Sequence, residues 1–518
     1  MPLKSWLPLL ALAVLAAAPL SSQTLTAGPE ILVAAPNYLY IREAAPAIAP
    51  RAAGGFLSLW RDGPAINTRA FSAADAPLSA ARQLSTHEED APRLAALASG
   101  GFVAAWTHFE RPVQPPVEIE SIVVVQLLDT VGNRLSPPLE VGRGTGVTGF
   151  TGYPAVAAEP GGGFVVTWTS AGRILARRFN ALGVPVGGEV PVSPSGLFSA
   201  VAVVPGGFAV AWSGPAGDLA GVLPQVFVQA FTAEGTPSGP ATVQVAADGF
   251  AGPEVSISAD AEGRFVAAWT ESANPYRVLA RRFSPGGQPL GDPILAATTP
   301  NGGIGAYLGS VAARPDGSFL VVWGEQSTIS GGPANQPAST LPVGGDVKAR
   351  AFNAAGEALG PAFLVHDGAA GEQHEGRAVA DSGGWLVTWM QRLDGSRVAA
   401  RRLTLTCGSA TVLCLKGDRF RAEVAWRVPA TGAQGTGTPI PLTGDTGSFW
   451  FFNPANYELA VKVLDGRGLN GHFWVFYASL TDVEFDLTVT DTLTGRERTY
   501  HNPAGTLASH ADTLAFPE

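Results

Sequence analysis

One short stretch recurs through most of the chain, and it restricts the fold more than any other feature. Its clearest copy reads Gly162-Gly163-Phe164-Val165-Val166-Thr167-Trp168: a small-residue turn, an aromatic, then a tryptophan four residues on. Seven copies are keyed by Phe56/Trp60, Phe102/Trp106, Phe164/Trp168, Phe208/Trp212, Phe265/Trp269, Phe319/Trp323 and Trp385/Trp389. Side chains on a strand alternate with period two, so a spacing of four puts both rings on one face. Around each copy the chain divides into four short strands bounded by Gly or Pro. In the third unit these are Tyr153 to Ala158, Phe164 to Thr169, Ile174 to Phe179 and Glu189 to Val192. The first-to-second turns (Pro205-Gly206-Gly207, Pro315-Asp316-Gly317-Ser318, Ser382-Gly383-Gly384) supply the positive φ angles that tight hairpins need.

The tryptophans are 46, 62, 44, 57, 54 and 66 residues apart. Four-stranded units at this period, repeated radially, make a β-propeller, and closing the ring removes exposed strand edges. The fold class expected is therefore all-β: a seven-bladed β-propeller followed by a small antiparallel β-sandwich. The seventh unit lacks a fourth strand, whereas an orphan strand, Glu30 to Ala34, precedes the first unit. Pairing that orphan with Val398 to Leu403 would latch the ring. Six or eight blades are the alternative counts if one unit is irregular.

Composition fits a turn-rich exported β protein. Hydrophobic residues make up 46% and charged residues only 15%, with 63 Gly and 42 Pro in 518 residues. Lys4, the apolar run Leu7 to Leu20 and small Ser21-Ser22 read as a secretory signal over residues 1–22. The domains expected are this signal, a propeller over 29–405 and a β-sandwich over 406–518. The net charge of −10 becomes −11 without Lys4, which argues against nucleic acid as a partner. Cys407 and Cys414 are the only cysteines, six residues separate them, and export favours a local disulfide. So short a loop contributes roughly 2.5 kcal/mol in the chain-entropy model.

A long polar residue recurs on the third strand: Arg69, Gln126, Arg177, Gln229, Arg281, Arg350 and Arg401. A ring of anion-binding groups is one reading. Packing between blades, with donation to carbonyls and stacking on aromatics, is the preferred one. Antiparallel connectivity puts second-to-third loops and blade crossings at the same end of the ring. The long insertions, Thr107 to Ser121, Gly214 to Gln225 and Gly324 to Gly345, all lie at that end, which is the expected partner-facing surface. Three consecutive crossings there are polar: His366-Asp367 with Glu372, His374 and Glu375; Tyr40 with its neighbours; and His87-Glu88-Glu89-Asp90. Together they form a candidate binding sector for a sugar or a divalent cation such as Ca2+. Solvated loop residues are the plainer explanation of the same pattern.

Searches for nucleophile elbows, zinc-protease motifs, phosphate loops and dinucleotide fingerprints find nothing, so no catalytic residues are assigned. Ser258-Ala259-Asp260-Ala261-Glu262-Gly263 approaches the Asp-box of sialidase propellers, but its glycine comes one residue late and it reads as a hairpin turn. After Cys407 the repeat stops. Strands are expected at Phe420 to Val428, Ser448 to Phe452, Leu459 to Leu464, His472 to Tyr477 and Val483 to Val489. Phe449-Trp450-Phe451-Phe452 and Phe473-Trp474-Val475-Phe476-Tyr477 offer aromatics to a core, to the propeller or to carbohydrate.

The repeats GGFVVTW and ILARRF resemble those of large exported bacterial proteins, and Gly435 to Tyr477 resembles a module at the C-terminus of other secreted bacterial proteins. That resemblance implies export and β architecture, and it carries over no catalytic residue. The leading functional expectation is a secreted or cell-surface binding protein with a carbohydrate or protein partner on the cell exterior. The alternatives are a carbohydrate-active hydrolase or lyase using Asp90, Asp367 and Glu375, and a purely structural surface protein.

Overall fold

The computed structural model describes residues 23–517 except 37–44, 111–118, 147, 216–223, 245–250, 272–274, 300–303, 328–344, 369–370, 382, 394, 408–410, 417–418 and 493. The proposed signal, Tyr40 and the centres of the three long insertions lie outside these residues. Among the described residues the protein is almost entirely β, with one four-residue helix, Arg467–Asn470.

Seven antiparallel four-stranded sheets follow one another along the chain. Sheet 1 contains Ala47–Pro50, Phe56–Asp62, Ala65–Phe71 and Arg82–Gln83. Sheets 2 to 6 repeat the order, with first strands Glu88–Ala96, Thr151–Ala158, Phe198–Val204, Ala251–Ala259 and Ile304–Ala313. Sheet 7 takes Glu372–Asp381, Gly384–Leu393 and Gly395–Cys407 from one end of the repeat region and Gln23–Ala34 from the other. The orphan strand pairs antiparallel with the third strand, Ile31 opposite Ala400 and Leu32 opposite Ala399. It is longer than its apolar core suggests. Gln23 to Ala27 continue the ladder against Cys407 to Leu403 across a bulge, and Leu25 is their one large apolar residue, which hides them in the sequence.

The tryptophan repeat explains how the sheets pack. Each keyed ring is no more than 3% exposed. Phe164, Val166 and Trp168 face Val103, Ala105 and Val125 of sheet 2, whereas Val165 faces Phe208, Val210 and Trp212 of sheet 4. The aromatic face of each sheet thus meets the smaller aliphatic face of the sheet before it. Seven such cores fill seven seams, and the last joins Leu386, Val398 and Ala400 of sheet 7 to Phe56, Trp60 and Phe71 of sheet 1 through Ile31 and Val33. The cycle of contacts is closed. In five sheets the keyed Phe stacks on the Phe opposite it in the third strand, with ring centroids 4.5 to 5.2 Å apart.

Six of the seven recurring polar residues of the third strands, all but Arg177, donate to backbone carbonyls. Arg69, Arg350 and Arg401 each donate to a carbonyl at the outer edge of the preceding sheet: Val33 at 3.2 Å, Ala296 at 3.2 Å and Val365 at 2.7 Å. Arg69, Gln126, Arg281 and Arg350 also donate to a carbonyl ten residues further on, at 2.8 to 3.0 Å. Arg69 and Arg350 stack over Phe71 and Phe352. Glutamine serves at sheets 2 and 4 because the role needs donors and does not need charge.

Beyond Cys407 two five-stranded sheets share one core. Five of their strands lie near the expected positions. The charged strand Arg496–Asn502 and the last strand, Ser509–Pro517, carry too few apolar residues to be visible as strands. Between two of the expected strands Asn470-Gly471 ends the short helix, with Gly471 at φ 73° as its left-handed cap. Of the aromatic runs, Phe449, Phe451, Phe473 and Tyr477 are core, and Phe452 is 52% exposed.

Candidate binding site at the channel mouth

First strands of all seven sheets surround a central channel of about 550 Å³, lined for most of its length by Ala47, Leu94, Val156, Ala200, Ile257, Val311 and Ala378. Its two ends differ. At the tight-turn end the C-terminal sheets cover it. Arg51, Glu262, Arg314 and Asp381 of the ring face Lys416, Arg419, Arg467 and Phe473 across a cleft of about 640 Å³. Arg419 lies 3.9 Å from Glu262 while its guanidinium sits 4.1 Å above the Phe473 ring. The opposite end carries the crossings and the insertions, as the connectivity requires. Parts of those insertions are strand: Phe102–Glu110, Gly207–Pro215 and Phe319–Ser327 all run past the tryptophan into what the sequence marks as loop.

Near that open end the first strand breaks register in five sheets, between Asp90 and Arg93, Gly152 and Ala155, Ala251 and Val255, Leu308 and Ser310, and His374 and Arg377. A bulge re-aims side chains and is common beside functional sites. Three of the bulged residues are non-glycine with positive φ: Ala91 (52°), Tyr153 (52°) and Glu375 (57°). A left-handed non-glycine residue costs on the order of 1 kcal/mol, and β-strand sequences rarely accept it without packing to hold it.

The bulges bring charge together. The Arg93 guanidinium is pulled down to about 10 by burial first and then by Arg377, against the pull of Glu254, Glu375 and Asp90. Three sequence-distant segments thus meet at the mouth within electrostatic reach. Asp90 accepts from the Ala91 N–H at 2.8 Å and from Arg61 at 3.2 Å. Arg377 donates to the Gly309 carbonyl at 2.6 Å. Burial raises the Tyr307 phenol above its ordinary value, with Glu375 and Glu254 adding to the effect. Tyr307 and His374 are in contact at 3.2 Å, and the other nitrogen of His374 faces Glu372 at 3.4 Å. Tyr307 lies on the backbone of Gly324, where a β-carbon would come within 2.0 Å of the ring. Beside this charge runs a row of four half-exposed rings, Phe109, Phe150, Tyr153 and Phe198, with successive centroids 6.5, 5.0 and 4.6 Å apart.

The sector read from the sequence divides in three. Asp90, His374 and Glu375 stand at the mouth, with Glu372 behind His374. His87 and Glu89 lie together at the open end of sheet 2, and Glu88 is exposed beside them. His366 and Asp367 do not join either group. The outer strand of sheet 6, Phe363–Leu364, leaves them at the rim, where Asp367 pairs with Arg401 and its N–H meets Glu30 at 2.7 Å. Burial lowers the His366 imidazole, and Asp346 lies 3.3 Å from it. The sequence reading missed Arg93, Glu254, Tyr307, Arg377 and His108. The signal for Arg93 and Glu254 was available, because Pro92, Pro154 and Pro253 align at the bulge in Ala91-Pro92-Arg93, Tyr153-Pro154-Ala155 and Gly252-Pro253-Glu254.

No protein-family model and no curated protein matches the chain. Solved structures of β-propellers do. An alpha-L-arabinanase of Penicillium chrysogenum in complex with arabinobiose is 10% identical over 57% of this chain and 94% of its own, with a TM-score of 0.40. The alpha-L-arabinofuranosidase arb93a of Fusarium graminearum, with an iminosugar inhibitor, is 10% identical over 63% and 98%, at 0.38. The Dos1 propeller is 9% identical over 70% and 93%, at 0.37.

Proposed function

We propose that this chain is an exported seven-bladed β-propeller with a C-terminal β-sandwich, and that it binds carbohydrate at the open mouth of its channel. The observation that carries this reading is the presence, at one end of the ring, of the aromatic row Phe109, Phe150, Tyr153 and Phe198 and of the buried Asp90 with the half-buried Arg93, Arg377, Glu254 and Glu375. A sugar ring presents C–H faces that stack on aromatics and hydroxyl pairs that bridge carboxylates and guanidinium forks. Arg93 and Arg377 line the channel itself, and the other end of the channel is covered. Glycan-array binding by the full chain, followed by calorimetry, tests the reading. The Arg377→Ala and Tyr153→Ala variants should each lose binding, while Asp367→Ala at the rim should keep it. Failure of the wild-type chain to bind any glycan would leave a structural surface role.

A second reading, glycoside cleavage, is favoured by one observation. Glu254 and Glu375 come from different sheets yet both act on Tyr307 and on Arg93. A pair of carboxylates acting at one place is what acid–base hydrolysis of a glycosidic bond requires. Release of reducing ends from a polysaccharide panel that includes arabinan, lost in both Glu254→Gln and Glu375→Gln, would support it. The Cys407–Cys414 disulfide belongs to the same proposal of export. Cys414 lies on Val412–Leu415, directly after the last strand of the ring, which ends at Cys407.

A further inference from the structure

We propose that His87, Glu89 and His108 form a binding site for a divalent first-row transition cation, with Zn2+ as its natural probe. The site is separate from the channel mouth and does not depend on the carbohydrate reading. One ligand atom from each residue lies within 4.8 Å of the other two. His108 and Glu89 are cross-strand neighbours at the open end of sheet 2, and His87 precedes the first strand, so the hairpin register itself assembles the group. The two imidazoles meet edge to face with centroids 5.2 Å apart.

Three details favour a metal over a plain histidine–carboxylate contact. The Glu89 side chain is only 2% exposed, and its Oε2 is buried without a hydrogen-bond partner. A buried carboxylate oxygen left so is expensive unless a cation completes it. Next, Glu89 Oε1 and His108 Nδ1 are 3.1 Å apart, and ligands on a tetrahedral centre with bonds of about 2.1 Å sit roughly 3.4 Å from each other. Lastly, the second nitrogen of His108 faces Glu110 at 3.4 Å, and Glu110 is itself held by Arg143 at 3.2 Å. A carboxylate behind the distal nitrogen is the usual support of a metal-bound histidine, fixing its tautomer and raising its basicity. The two imidazoles are borderline donors, and a carboxylate is an accepted third ligand beside them. They suit zinc and its neighbours better than Ca2+, which takes six to eight oxygens.

The test is calorimetric titration of Zn2+ into chelator-treated full-length protein, with Co2+ absorption as the spectroscopic readout. One equivalent should bind, and cobalt should give the ligand-field bands of a four- or five-coordinate N/O site. His108→Ala and Glu89→Gln should each abolish stoichiometric binding. So should His87→Ala, an exposed position whose loss leaves the fold intact. Absence of binding to the wild-type chain would overturn the proposal, leaving a hydrogen bond between His108 and Glu89. Binding unchanged in His87→Ala and His108→Ala, or of Ca2+ with no response to Zn2+, would also overturn it.

Discussion

Closure of the ring rests on Gln23–Ala34, and the strand itself contains the control. Ile31 and Val33 point into the seam between sheets 7 and 1, at 8% and 0% exposure, whereas Leu32 between them is 57% exposed. Replacing Ile31 and Val33 together by alanine removes five methyl or methylene groups from that core. At about 0.8 kcal/mol for each, the transfer loss is about 4 kcal/mol, before any cavity cost. Leu32→Ala removes as many carbons as Ile31→Ala but from a solvated face, and should change stability by no more than about 0.5 kcal/mol. Urea unfolding followed by tryptophan fluorescence measures both, because Trp60 shares the core with Ile31 and Val33. Against a domain stability on the order of 10 kcal/mol, the double variant should unfold at distinctly lower urea. If its midpoint coincides with that of Leu32→Ala, this strand does not hold the ring shut and the reasoning fails.

Other consequences can be checked in the same way. Gly324→Ala would drive a β-carbon into Tyr307, so it should cost about 1–3 kcal/mol and weaken glycan binding as Tyr307 leaves His374, measured by urea unfolding and calorimetry. Arg350→Ala removes donors to Gly360 and Ala296; a loss of about 1–3 kcal/mol with no change in glycan or sulfate affinity would show that the position is structural. On the proposal of export, thiol labelling of the denatured chain should modify no cysteine without reductant and both Cys407 and Cys414 with it.

The architecture is legible because one physical rule writes it seven times. A buried Phe and Trp four residues apart demand a strand with one aromatic face, and Gly at the preceding turn demands a hairpin. The outer strands are harder to read. Of the largely exposed Pro185–Ser193 the sequence marks only Glu189 to Val192, and Arg82–Gln83 is two residues long, too short for any pattern to set it apart from loop. The mouth was legible only in part. Asp90, His374 and Glu375 stand out as charges in crossings, but Arg93 and Glu254 sit on strands that otherwise look like ring interior. A bulge turns these residues toward the opening, and its sequence mark is no more than an aligned proline. His366 and Asp367 stand differently. They share the polar character of the mouth, but the strand before them is the outermost of its sheet, and Arg401 accounts for the charge of Asp367.

The most direct test of the central claim is a crystal structure of the full chain with the tightest-binding oligosaccharide from the array. The sugar should stack on Tyr153 or Phe198 and reach Arg93 or Arg377 at the channel mouth. Density instead on the C-terminal sheet, at Trp474 and Phe476, with the mouth free of sugar, would contradict the account.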